Sequence, residues 1–228
     1  MSVEYKLTKA NEGLRLEISG NDTATYEEYV AVVSEAKERI KDTPEAELQT
    51  FVNVRHETEL EFFVSQGFFI VNTMLMMEKD LDESVDQMSS KIPAEFKEYD
   101  FKAEGLKRYL KANKAGFDGV QDPEEQIVDQ ISQPHGTIHI AEKKDDILAS
   151  VTTWDMGDGV FATENVFTVP KAREQGLAAA LLTRVFEQLK NKGAKRARLS
   201  VYGDDLPALL LYIKLGYHIV DSNYELRY

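Results

Sequence analysis

Glu164-Asn165-Val166-Phe167-Thr168-Val169-Pro170-Lys171-Ala172-Arg173-Glu174-Gln175-Gly176-Leu177-Ala178-Ala179-Ala180-Leu181-Leu182 carries the architecture of this chain. A strand runs through a short loop directly into a helix. Such a loop points several unpaired backbone N–H groups, and the positive end of the helix dipole, at one place, which suits a pyrophosphate. Gly176 and Ala178 keep side chains out of the way. Taken alone, a turn with one glycine serves equally well as an ordinary helix cap.

Upstream, a strand is expected near Phe96–Phe101, followed by a helix with Leu106, Tyr109, Leu110 and Asn113 in helical step. Asp122, Pro123 and Glu125 open a second helix with a start resembling a capping box. Two strands, Thr137–Glu142 and Ile147–Trp154, are joined by the turn at Lys143–Asp146, and a third, Val160–Val169, follows the Gly157-Asp158-Gly159 turn. Downstream come a helix closed by Gly193, a strand, a helix ending at Gly216 and a last strand. This order predicts an α+β fold of mixed layers, with a central, mostly antiparallel sheet flanked by helices.

Sliding the sequence by 149 positions lines Glu12–Lys79 up with Phe161–Tyr228 without a gap, in pattern more than in identity. Leu14–Ile18 falls on Thr163–Phe167, Tyr26–Asp42 on Gln175–Asn191, and Phe51–Val54 on Ser200–Gly203. The Ser-Gln-Gly-Phe around Gly67 falls on the Lys-Leu-Gly-Tyr around Gly216. Short apolar patterns can recur by chance, but the shared register favours duplication. The expected organisation is a truncated, degenerate copy over residues 1–81, a charged linker over 82–92 and a complete unit over 93–228.

The 228 residues are 43% hydrophobic, 10% aromatic and 29% charged, as in a soluble globular protein. The longest apolar stretch, Leu206–Ile213, is far short of a membrane span, and Met1–Gly13 lacks the apolar core of a secretory signal, so a cytoplasmic setting is expected. With no cysteine, disulfides, thiolate metal sites and acyl-cysteine intermediates are excluded. Net charge is −13, with 19 acids and 9 bases up to Ile92 and 21 and 18 beyond it, a balance that disfavours nucleic acid and favours a cationic or neutral partner. The basic cluster Lys190, Lys192, Lys195, Arg196 and Arg198 brackets the helix end at Gly193, where cations complement the dipole. His135 and His139 lie roughly 13 Å apart if extended, too far to share a metal, so no metal is expected. Neither a Gly-x-Ser-x-Gly elbow nor a Gly-Lys-Thr phosphate loop is present.

Val-Pro-x-x-Arg-x-x-Gly-x-Ala, from Val169 to Ala178, resembles the acyl-CoA motif of the GNAT superfamily of N-acyltransferases. Asp205–Tyr217 looks like the last helix of that family, usually written Asn-x-x-Ala-x-x-x-Tyr-x-x-x-Gly-Phe. The resemblance covers about Ile92–Tyr228 and, through the offset repeat, Gly13–Lys79 in degenerate form. It implies that backbone groups of Phe167 and Val169, with Thr168 between them, hold the pantetheine arm of acetyl-CoA. Arg173, Glu174, Gln175, Gly176, Leu177, Ala178 and Ala179 would surround the pyrophosphate. Tyr212 takes the place of the tyrosine that protonates the departing thiolate; the reference pKa values of a thiol, about 8.5, and a phenol, about 10, suit that exchange. Asp205 stands where the family often has Asn, either beside the cofactor or as an N-terminal cap before Pro207.

An amine acceptor must lose a proton to attack, and Glu164 is the nearest carboxylate in sequence to the expected thioester, acting directly or through water, or else facing solvent. Trp154 and Asp155 either line the acceptor side or, for the tryptophan, fill the core. In the first copy the positions of Arg173, Gly176, Ala178 and Tyr212 become Ala24, Glu27, Tyr29 and Phe63, so that copy is not expected to bind CoA. The expected function is transfer of an acetyl group from acetyl-CoA to an amine, small molecule or peptide, by direct attack in a ternary complex. No nucleic acid or membrane is involved, and the chain is a monomer or a homodimer. The other reading is a catalytically silent acyl-CoA-binding module.

Overall fold

The computed structural model describes residues 3–10, 13–20, 23–41, 47–82, 88–119 and 124–228. The chain forms two compact units, one of Met1–Leu75, Tyr202–Asp205 and Asp221–Tyr228, the other of Met76–Val201 and Leu206–Val220.

In the first unit β1 (Val3–Ala10) and β2 (Gly13–Gly20) form an antiparallel hairpin. Helix α1 (Tyr26–Ile40) is opened by a capping box: the Glu28 N–H donates to the Thr25 hydroxyl at 3.3 Å, and the Thr25 N–H donates to the Glu28 carboxylate at 3.0 Å. Strand β3 (Leu48–Asn53) runs parallel to β2 and antiparallel to residues 223–227, and α2 (Glu57–Ser65) follows. The inward faces of these elements meet at Leu16, Val33, Ala36, Leu48, Val52, Phe63, Phe68 and Leu226, the core of the unit. Strand β4 (Phe69–Asp80) starts here and its last five residues belong to the second unit.

The second unit continues with β5 (Glu95–Glu98), the short α3 (Phe101–Glu104), α4 (Leu106–Gly116), α5 (Glu124–Ser132), β6 (Thr137–Lys143), β7 (Asp146–Gly157) and β8 (Val160–Thr168). It is completed by α6 (Leu177–Asn191), β9 (Arg196–Tyr202), α7 (Leu206–Lys214) and the first residues of β10 (His218–Arg227). Strands β5 to β8 pair antiparallel in sequence order, and β8 pairs parallel with β9. The expected mixed, mostly antiparallel sheet flanked by helices is present.

One boundary differs from the sequence reading. Phe101 starts a helix rather than ending a strand, because the Asp100 carboxylate accepts the Lys102 N–H at 2.9 Å and caps the turn. The Lys143–Asp146 turn holds Lys144 and Asp145 at φ 49° and 63°, the paired positive values of a tight two-residue hairpin. Asp122 and Pro123, expected to open α5, lie outside the described residues. Shifted by 149 positions, α2 falls on α7 end to end, and each helix stops at a glycine, Gly67 at φ 85° and Gly216 at φ 88°.

Candidate active site

The site begins where a ladder stops. β8 and β9 are in register only from Val160↔Arg196 to Ala162↔Arg198. Beyond that, β8 carries a bulge: against β7, Thr152 faces Glu164 and Ser150 faces Phe167, so β8 gains one residue. Asn165 absorbs it at φ 52°, a conformation asparagine tolerates better than most residues, and its amide donates to the Gln130 side chain on α5. The strand turns away from β9, and a fork opens.

Glu164 sits at that fork. Its carboxylate accepts the Ser200 N–H of β9 at 2.9 Å, taking a bond that a continued ladder would have given to a carbonyl. One residue back, the Thr163 hydroxyl donates to the Arg198 carbonyl at 3.1 Å and shares a hydrogen bond of 2.8 Å with the Tyr217 hydroxyl. The Glu164 side chain keeps a little solvent access, yet burial among protein atoms pushes its pKa up to about 7, against the opposing pull of the Ser200 hydrogen bonds. A carboxyl with that pKa is poised to take a proton at neutral pH. The same burial raises the Tyr217 phenol well above the usual range, so it stays protonated.

Past the fork, Val169 is committed to backbone partners: its N–H donates to Leu148 at 2.9 Å, and its carbonyl accepts the Ala172 N–H at 2.9 Å. Strand alternation turns the backbone groups of Val166 and Thr168 to the edge away from β7. Phe167 and Val169, whose backbones were expected to hold a pantetheine arm, both pair with β7, Phe167 opposite Ser150 and Val169 through Leu148. Phe167 is buried, its ring packed on Tyr109 and Phe117.

After a 3₁₀ turn at Pro170–Ala172 the loop reaches Gly176, which caps α6 at φ 79°. The first helical bond runs from Ala180 to the Gly176 carbonyl, leaving the N–H groups of the opening turn ahead of it. Leu177 and Ala179 are buried and anchor the helix, Ala178 is half-buried, and Glu174, at φ 59°, is exposed. Gln175 receives the Lys91 N–H on its carbonyl at 2.9 Å, and a Cβ on Gly176 would stand 2.8 Å from the Ser89 carbonyl oxygen. Arg173 reaches the other way: its guanidinium donates to both carboxylate oxygens of Asp118, to the Gly116 carbonyl at 2.7 Å and to the Thr168 carbonyl at 3.0 Å. It ties the end of α4 to β8 and is not aimed at the mouth of α6.

Tyr212 is buried on α7, its ring edge-on to Tyr217 at 5.7 Å between centroids. A continuous path of side chains thus joins Tyr212, Tyr217 and Thr163 to the strand bearing Glu164. Tyr217 was not among the expected site residues; the signal was its phenol where the family motif has Phe. Asp205 belongs to the first unit, where its N–H donates to the Tyr202 carbonyl at 3.1 Å. Trp154 and Asp155 line an open concavity of about 470 Å³ with Pro134 and Met156, and the Asp155 carboxylate accepts the Gly157 N–H at 2.8 Å. His139 is buried against the Thr153 hydroxyl at 3.0 Å, and burial pushes its pKa down to about 4, so it is neutral. Among the described residues no cluster of three or more histidine or carboxylate side chains is set to hold a metal, and no helix is long and apolar enough to cross a membrane.

Residues 102–217 match the model of the acetyltransferase (GNAT) family. Among solved structures, a GCN5-related N-acetyltransferase from Sphaerobacter thermophilus is similar over 100% of this chain and 76% of its own, with 16% identity and a TM-score of 0.77. A GCN5-related N-acetyltransferase from Kribbella flavida covers 99% of this chain and 86% of its own, with 18% identity and a TM-score of 0.66. A tandem GNAT protein from the clavulanic acid biosynthesis pathway, solved without AcCoA, covers 98% and 78%, with 11% identity and a TM-score of 0.73. No curated protein matches significantly. At these identities the structural likeness speaks for the fold, the family match spans half of the chain, and the forked strands with the glycine-capped helix beside them are in place: the chain belongs to the GNAT acetyltransferase family.

Proposed function

We propose that the chain transfers an acetyl group from acetyl-CoA to an amine, a small molecule or a peptide, by direct attack within a ternary complex. The observation that carries this reading is Glu164, a carboxyl at the strand fork with its pKa raised to about 7. Acetyl-CoA supplies the activated thioester carbonyl. The opening turn of α6 offers N–H donors to the pyrophosphate. The edge of β8 turned away from β7 receives the amides of the arm, with the Thr168 N–H as donor, since its carbonyl is bonded to Arg173. Glu164 takes the proton from the acceptor ammonium, directly or through water, so that nitrogen attacks with its lone pair. Tyr212 gives its proton to the leaving sulfur as the C–S bond breaks.

We read residues 1–81 as a truncated, degenerate copy, joined by a linker at 82–92 to the catalytic part at 93–228. The end-to-end coincidence of α2 with α7 supports this, as does likeness to a protein described as a tandem GNAT. A cytoplasmic setting, as a monomer or homodimer, goes with it.

The test is the melting temperature with and without acetyl-CoA, for the wild type and for Ala178→Glu, a half-buried position in the opening turn of α6, followed by an amine screen. At about 100 times its dissociation constant the ligand stabilises the fold by roughly 2.7 kcal/mol. The wild type should shift and the variant should not. A wild type that binds but acetylates no amine would favour the silent acyl-CoA-binding module, and no shift in either protein would remove the reading.

A further inference from the structure

The first unit holds a cavity of about 790 Å³ at the N-terminal ends of α1 and α2. It falls in the size range of small-molecule sites. Four rings line it, those of Tyr26, Tyr29 and Phe62 and that of the almost fully buried Phe63. Both tyrosine rings meet the Phe62 ring edge-on, Tyr26 at 5.6 Å between centroids and 88°, Tyr29 at 6.0 Å and 70°. Lys37, Arg15 and Arg39 lie over other rings of the unit, but among the described residues no cation is placed over these three.

The rim decides the sign of the guest. Glu57 and Glu59 line it, together with Arg55 and His56. His56 Nδ1 is already 3.2 Å from the Glu59 carboxylate. Asp221, whose carboxyl is held below the usual range first by the Asn53 amide and the Ser222 N–H, also feels Arg55 and His56. The rim itself thus carries two carboxylates, Glu57 and Glu59, beside one permanent cation, Arg55, in a stretch whose first 92 residues carry 19 acids against 9 bases. Phosphates and carboxylates are disfavoured, while an ammonium gains from both the carboxylates and the ring faces.

We propose that this cavity is a binding site for an organic cation, an amine or quaternary ammonium carried on a small apolar body, with the rings of Tyr26, Tyr29 and Phe62 around it and Glu57 and Glu59 at its mouth. The proposal is independent of the transferase reading.

Titration calorimetry of the full chain with 2-phenylethylamine, 2-phenylethanol and phenylacetate, one body with three charges, tests it. The amine should bind at least tenfold more tightly than the alcohol, and phenylacetate more weakly still. Tyr26→Leu and Glu57→Gln, both at exposed positions, should each weaken the amine by about three- to tenfold, with the melting shift given by acetyl-CoA unchanged. The proposal is overturned if the alcohol or the acid binds as tightly as the amine. It is equally overturned if the amine fails to bind at tens of millimolar, or binds both variants as it binds the wild type.

Discussion

Replacing Glu164 with Gln removes one ionisable group from the strand fork and keeps its shape. The folded carboxyl has a pKa of about 7 against an ordinary value of 4.5, so the folded state holds its proton where the unfolded state has released it. Stability from this group is therefore full below pH 4.5, falls as pH rises toward 7 and is level above that. Between pH 5 and pH 8 the wild type should lose about 2.5 kcal/mol that Glu164→Gln retains, since one pKa unit corresponds to about 1.36 kcal/mol. Urea unfolding of both proteins across that range measures the difference directly. The same proton appears in the rate: kcat/KM of the wild type should rise through pH 7, and Glu164→Gln should lose that inflection with about 10²- to 10⁴-fold of the rate. Two parallel stability curves would show that the carboxyl is not buried as described. A surviving inflection near pH 7 in the variant would assign the base elsewhere.

Tyr212→Phe should lower kcat by about 10- to 100-fold while acetyl-CoA affinity, read by calorimetry, changes less than about twofold; a matched fall in affinity would make Tyr212 a packing residue. Thr25→Ala removes the hydroxyl that accepts the Glu28 N–H and should cost about 1 kcal/mol, seen as a lower urea midpoint at unchanged m-value.

The helices and strands of the second unit were legible because their periods are clean and their ends are marked. α7 lies where its apolar run and Gly216 place it, and the β6–β7 hairpin where its turn residues place it. The fork was not legible. Its bulge depends on Asn165 taking a positive φ, which answers to the pairing of β8 with β7 on one side and its loss from β9 on the other. Arg173 shows the same limit: the motif placed it in the loop, but its direction is set by Asp118, 55 residues earlier. The direction of the backbone groups along β8 was likewise not legible, because one extra residue in the strand decides which of them face the open edge. Glu164 was named from proximity in sequence, and its raised pKa comes from burial that sequence does not display.

The bond from Ser200 to Glu164 has a further consequence. An amide bonded to a ladder carbonyl exchanges its hydrogen at a rate governed by the opening of the sheet, whereas the Ser200 amide is held by a side chain that titrates. Protonating that carboxyl weakens its grip on the N–H, so exchange at Ser200, corrected for the intrinsic pH dependence, becomes an indicator of charge at the fork. A single amide resonance reports the ionisation of the base in the resting protein, before any acyl donor or amine is added.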